Sequence, residues 1–372
     1  MRYFSIDILR TIAIFVMVFV HFGENLAGFK SPFAGFGAPL FAFLSGASYY
    51  LWVKGREEKG VSDEEISKIS VRRGLFVFGV GFAFNILVWL PEDTFNWDVL
   101  TFIGSALLLL GAVRRLPRLA LLVAAVMAVV ISPALREVAD YNAYWLNGQY
   151  YEPDATLYDT LIGYVIAGYF PVFPWIAYSL TGFVVGSVLF EAEAKRDAAA
   201  PTTTSPTSSS VVRFSIAGGA LLAVSLGSLA VRSWLPDVLA TKFLGKWSMF
   251  PPTVIYVSAT LGLTLLLVAV THYLVDLRYR DRVPEGLANI AKTFSRYSLT
   301  IYLLHHVAHL WPLWIYTAWQ GLEPTTYWMS AMTLWPAYGL GLLFLVVCYV
   351  ALRLLGSRRT YGAEALMRWI CD

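Results

Sequence analysis

Three ionisable residues, Asp7, Arg10 and His21, share the first apolar stretch of this 372-residue chain. Such side chains are costly to bury inside a membrane-length apolar run and mark functional positions there. An α-helix advances about 100° and 1.5 Å per residue, so His21, eleven residues after Arg10, returns to nearly the same face about 16 Å further along the axis. Asp7 precedes Arg10 by three residues and is in reach of it on that face. A neutral imidazole at His21 can take a proton from a hydroxyl or an amine near neutral pH. The planar guanidinium of Arg10 suits a phosphate or another anion, and can equally hold the helix start by pairing with Asp7. Glu24 lies one turn beyond His21, where it could orient the ring or end the helix in solvent.

A second polar set lies near the other end of the chain, in Ser298-Leu-Thr-Ile-Tyr302-Leu-Leu-His305-His306-Val-Ala-His309. It holds three of the five histidines. Tyr302, His305 or His306, and His309 share one helix face by their i, i+3, i+4 spacing. Two histidines at that spacing can begin a metal site, but further ligands must come from elsewhere. No companion motif accompanies them, so no metal is expected, and a polar face toward an internal cavity is the better reading. Which histidine points inward is left open. Asp98 opens an apolar run and suits a helix N-cap, with an outer-site role as the alternative. Trp175 and Trp247 each lie beside prolines at a helix entry, where they fit an interfacial belt or the rim of a sugar-binding cavity. Arg72 and Arg73, with Arg278, Arg280 and Arg282, are orientation determinants that can also hold the phosphates of a cofactor. No phosphate-binding glycine loop accompanies them.

The elements that must position these groups are membrane helices. The chain is 58% hydrophobic and 14% charged, with a mean hydropathy of +0.61, far from the balance of a soluble domain. Runs able to cross about 30 Å of hydrocarbon fall at 6–24, 33–53, 74–90, 98–113, 118–134, 171–190, 213–233, 252–274, 297–315 and 328–355. The third and fourth are short. The expected fold is therefore all-α, a polytopic membrane protein of about ten transmembrane helices, because lipid leaves no backbone group unpaired and no barrel-type alternation is present. With both termini in the cytoplasm, the cytoplasmic segments carry 22 of the 28 Lys and Arg, the asymmetry that sets orientation. Arg10 then lies toward the cytoplasm and His21 toward the outside. A single transmembrane domain over 1–355 is expected, with a cytoplasmic tail at 356–372. An acidic, Tyr-rich outer loop at 135–170 would cap a cavity, and a low-complexity cytoplasmic linker occupies 195–212. The first run lacks a small-residue cleavage site and reads as a retained span. Cys348 and Cys371 imply neither a disulfide framework nor a metal site. No internal repeat is evident. The polar residues within the spans also fit a transporter, as a substrate path or proton relay.

The opening Asp7-x-x-Arg10-x10-His21 resembles the signature of transmembrane acyltransferases, including the Arg-x10-His pattern of the acyltransferase-3 group. The remainder resembles a sister group, the heparan-alpha-glucosaminide N-acetyltransferase-like proteins. Carrying that resemblance are Ile6-Asp7-Ile-Leu-Arg10-Thr-Ile-Ala-Ile, Ala38-Pro-Leu-Phe-Ala-Phe-Leu-Ser-Gly46, Phe170-Pro-Val-Phe-Pro-Trp-Ile-Ala-Tyr-Ser-Leu-Thr-Gly182, Phe250-Pro-Pro, and Tyr297-Ser-Leu-Thr-Ile-Tyr-Leu-Leu-His305. Thr11 departs from the glycine usual there. The animal lysosomal members carry Asn where His21 stands, so His305, His306 and His309 stay open as the base. The resemblance implies transfer of an acetyl or other acyl group from cytosolic acetyl-CoA to a sugar or glycan on the far side of a prokaryotic plasma membrane. Arg10, Arg72 and Arg73 would hold the donor, and His21, with Asp7, would act on the acceptor. Glu24, Asp98, Trp175, Tyr302, His305, His306 and His309 would line the acceptor cavity. Direct transfer and an acetyl-histidine intermediate both fit. Partners are then acetyl-CoA, a carbohydrate or lipid-linked acceptor and the bilayer, with no nucleic acid; a homodimer is left open.

Overall fold

The computed structural model describes residues 3–88, 94–154, 156–198, 207–279, 282–356 and 361–372. Among them α1 (Phe4–Ala27), α2 (Gly37–Glu57), α3 (Asp63–Val88), α4 (Val99–Val113) and α5 (Arg118–Val138) lead to a hairpin of β1 (Trp145–Leu146) and β2 (Gln149–Tyr150). There follow α6 (Leu157–Ile162), α7 (Val172–Ala198), α8 (Thr207–Ala230), α9 (Val254–Thr271) and α10 (Glu285–Arg296). The chain closes with α11 (Ser298–Gln320), α12 (Pro324–Trp328), α13 (Leu334–Gly356) and α14 (Ala363–Cys371).

Each of the ten apolar runs is occupied by a helix. Seven described helices are long and apolar enough to cross a membrane: α1, α3, α5, α7, α8, α9 with its continuation to Arg278, and α13. The protein is thus all-α and polytopic. The third run belongs to a longer helix than its apolar part indicates. α3 begins at Asp63, and the carboxylates of Asp63, Glu64 and Glu65 in its first turn meet the positive end of the helix dipole. The expected linker at 195–212 is shortened, because α7 runs to Ala198 and α8 starts at Thr207; residues 199–206 lie outside the described set.

Two compact units make up the chain. One is built from Pro39–Arg278, the other from Tyr3–Ala38 together with Tyr279–Asp372. In the first, helices approach closely through glycine. Gly46 of α2 faces the Ser179 carbonyl of α7, and Gly182 of α7 faces the Phe43 carbonyl of α2, so that a Cβ at either would overlap backbone. Small residues drive membrane helix packing in this way. Gly46→Ala is expected to cost about 1–3 kcal/mol, the usual penalty for overpacking. Thermal unfolding in detergent reads this directly, and an unchanged midpoint would show that α2 and α7 separate freely.

The 135–170 segment of the same unit is folded. Asn147 and Gly148, at φ of 53° and 81°, form the Asn-Gly turn that favours a two-residue hairpin, pairing Trp145 with Tyr150. Tyr141, Tyr144, Tyr150 and Trp97 bury against Phe78, Phe82, Tyr164 and Tyr169. Thr156 and Asp159 form a capping box at α6, and the Tyr144 hydroxyl donates to Asp159 Oδ1 at 2.8 Å. The hydrogen bonds from Thr156 and then Tyr144 hold the Asp159 carboxyl below the usual carboxylate range, so this contact strengthens the fold above that range and is lost as the pH falls through the depressed value.

The second unit gathers α1 against α10, α11 and α13. Phe15 meets Phe294 edge-on at 5.3 Å, and Phe19 meets Tyr338 at 5.6 Å. It contains both polar sets singled out above.

Candidate active site

α1 forms because its residues are apolar over six turns, with Asp7 in the first turn suiting the dipole. It stops at Gly28, whose left-handed φ of 61° closes the last turn. α11 is started from outside itself. The Glu364 carboxylate of α14 accepts from the Leu299 N–H at 2.6 Å and the Thr300 N–H at 3.1 Å, and also from the Thr300 hydroxyl. A buried acid thus satisfies two orphan donors at the helix N-terminus.

Between these helices the histidines meet. His21 Nδ1 lies 2.7 Å from His305 Nε2, and the His21 ring is 4.6 Å from that of His306, centre to centre. His309 joins the set on the next turn: Asn25 Nδ2 is 2.9 Å from His309 Nε2, and Phe22 packs on the His309 ring at 4.4 Å. His305, His306 and His309 are buried, whereas His21 is half-buried. Both His305 and His306 therefore face α1, which resolves the choice between them that spacing left open.

Backbone carbonyls fix the tautomers. His305 Nδ1 contacts the Tyr302 carbonyl, and His309 Nδ1 lies 2.5 Å from the His305 carbonyl. A carbonyl only accepts, so each of these Nδ1 atoms carries the proton. In neutral rings the Nε2 of each is then an acceptor, His305 from His21 Nδ1–H and His309 from the Asn25 amide. His21 is left with its lone pair on Nε2, on the one histidine of the four that is half-buried rather than buried. His21 thus has its proton-bearing Nδ1 held by a second, backbone-anchored imidazole.

Arg10 lies about 16 Å back along α1, where Nη1 donates to the carbonyl and hydroxyl oxygens of Ser295, both at 3.3 Å. Thr11, beside it, donates to the Asp7 carbonyl at 2.8 Å, with the Ala291 carbonyl of α10 at 3.3 Å. Asp7 is buried in the turn before Arg10, about 21 Å along the helix from His21, and so lies at the Arg10 end, out of reach of the histidines. Glu24 is half-buried in the last turn of α1. The remaining candidates lie in the other unit. Asp98 caps α4, its Oδ1 accepting from the Leu100 N–H at 2.9 Å. Trp175 has no exposed surface and packs on Phe102, Phe170 and Tyr178, which makes it a core residue rather than a belt residue; Trp247 is exposed. Arg72 is exposed on α3, and the Arg73 guanidinium sits 4.5 Å over the Trp52 ring.

Three contributors were not evident from sequence: Asn25, Ser295 and Glu364. Asn25 follows His21 by four residues and shares its face, a spacing signal that was available. Ser295 and Glu364 carry no such signal.

Compared with known protein families, residues 2–223 match the family described as heparan-alpha-glucosaminide N-acetyltransferase, catalytic. The chain belongs to this family. The protein is accordingly a multi-span membrane acetyltransferase. The matched region includes α1 with Asp7, Arg10 and His21, while α11 with its three histidines lies beyond it. No curated protein matches the chain.

Proposed function

We propose that this acetyltransferase moves an acetyl group from cytosolic acetyl-CoA to a glucosamine-type sugar presented on the extracytoplasmic side, with His21 as the general base. The observation that carries the reading is the anchored tautomer chain from the Tyr302 carbonyl through His305 to His21. It leaves a directed lone pair on the half-buried ring. The acceptor amine or hydroxyl attacks the thioester carbonyl carbon while His21 Nε2 takes its proton. The tetrahedral intermediate collapses, the C–S bond breaks, and the departing CoA thiolate takes the proton back from the imidazolium. The amide or ester and free CoA–SH are the products, and the base is restored. His305 Nε2, accepting from His21 Nδ1–H throughout, is placed to steady the imidazolium between the two proton transfers.

Arg10 is the donor-side group on α1, with Ser295 holding its guanidinium. Family membership supports the donor, and the Lys and Arg asymmetry supports placing it in the cytosol. Purified protein in detergent is expected to bind acetyl-CoA saturably by calorimetry, and Arg10→Ala to weaken that binding at least tenfold, as loss of a charge-assisted contact of about 1.5–3 kcal/mol implies. An unchanged unfolding midpoint in the variant guards against misfolding. Tight donor binding retained by Arg10→Ala would remove Arg10 from the donor site, and absence of binding to the folded wild type would remove the donor.

A further inference from the structure

The histidines do more than orient one another. Spacing along α11 alone offers two imidazoles and no third ligand, but α1 brings His21 against them. One ring nitrogen from each of His21, His305 and His306 lies within 4.8 Å of the other two. We propose that these three imidazoles form a binding site for a divalent transition-metal ion of the zinc type, and that the ion inhibits the enzyme.

Several features favour it. The donors are all neutral imidazoles, the ligand type that suits zinc, copper and nickel rather than magnesium or calcium. Three histidines with an open fourth position are a recognised zinc arrangement. The rings sit on two helices rather than on loops, and His305 and His306 are buried, so binding needs a turn of the His21 ring and no rearrangement of a loop. His309, one turn along α11, stands beside the set, its ring 5.2 Å from that of His306.

Geometry also makes the ion an inhibitor. Zinc–nitrogen bonds of about 2.0–2.1 Å place the nitrogens of a tetrahedral site about 3.4 Å apart. His21 Nδ1 and His305 Nε2 are only 2.7 Å apart and share a proton, so both cannot ligate as they stand. Metal binding must open that hydrogen bond and recruit the His21 Nε2 lone pair. The metal-bound and relay arrangements exclude each other. The inhibitory consequence rests on the reading of His21 as the base; the metal site does not.

The test uses the full chain in detergent, titrated with ZnCl2 by calorimetry and with Co2+ by the visible absorption of the tetrahedral ion, alongside acetyl transfer from acetyl-CoA to glucosamine. One ion per chain is expected, with affinity at least tenfold lower in His306→Gln and in His21→Gln and unchanged in His272→Gln, which alters a histidine outside this set. Glutamine keeps the size and polarity of the site if larger changes prevent folding. Saturating zinc is expected to suppress transfer by at least 90%, with recovery on adding a chelator. No stoichiometric binding, or equal affinity in His306→Gln and wild type, overturns the metal site and leaves the base assignment standing. Stoichiometric binding that depends on His306 but leaves transfer intact overturns His21 as the base and keeps the site.

Discussion

His21→Ala is expected to lower the rate of acetyl transfer by about 10²–10⁴-fold, the usual contribution of a positioned general base, while acetyl-CoA affinity stays within about threefold. The asymmetry follows from where the residue sits. Arg10, the proposed donor-side group, is about 16 Å away along α1, and its Ser295 contacts do not involve His21. The substitution also removes one partner of a buried hydrogen bond, leaving His305 Nε2 without its donor, at about 1–3 kcal/mol. A lowered unfolding midpoint therefore accompanies the loss of activity and does not explain it. The decisive measurement is a single-turnover transfer of labelled acetyl to glucosamine at a temperature where the variant is fully folded. Transfer within tenfold of wild type would sink the assignment and move the base to another member of the cluster. Stable acetylation of His21 in the wild type would instead assign the same lone pair to nucleophilic attack.

How far this site could be read in advance depended on whether its parts were local in the chain. Arg10 and His21 lie on one face of one helix, and helical periodicity alone shows it. So does the N-cap at Asp98, because a cap is made within four residues. The ten helical runs follow from hydropathy, since lipid permits no other paired backbone there. The pairing of α1 with α11 did not follow, because it joins residues 284 positions apart and nothing in either segment names its partner. The histidine motif was consequently read by itself, and its two adjacent imidazoles, about 100° apart on one helix, looked like alternatives. They are not, because the His21 ring approaches both. Glu364 carries no signal for the same reason: a lone acid reads as solvated until α14 is seen to reach the start of α11. Trp175 was misread in the opposite sense. An aromatic residue beside prolines at a helix entry is statistically an interface residue, but here Phe102, Phe170 and Tyr178 enclose it.

Thr11 lies where α1 meets α10. Glycine there would let α10 approach without obstruction. Threonine instead satisfies its hydroxyl on the Asp7 carbonyl, with Ala291 O close by, so the extra bulk carries its own hydrogen bond and tethers the turn that presents Arg10. Both ends of the polar face of α1 are therefore held by hydrogen bonds from within the same unit, Ser295 at Arg10 and His305 at His21.

His305→Leu is the sharper test of the mechanism, because His305 is a positioning residue with no substantial surface of its own. Leucine fills the volume but removes the acceptor that holds the proton on His21 Nδ1. His21 is then free to carry its proton on Nε2, the tautomer that cannot act as a base toward the exposed side, and its imidazolium loses a partner. A transition-state loss of about 1.4–2.8 kcal/mol corresponds to about 10- to 100-fold in kcat. KM for acetyl-CoA and for the acceptor is expected to stay near wild type, since neither Arg10 nor the exposed side of His21 is altered. His305→Gln supplies the control: its side-chain oxygen can accept from His21 Nδ1–H, and partial recovery of kcat is expected relative to leucine. A purely packing role would order the variants by volume and apolarity, with leucine at least as active as glutamine. Glutamine above leucine in kcat at unchanged KM is the signature of tautomer control, and the reverse order would overturn it.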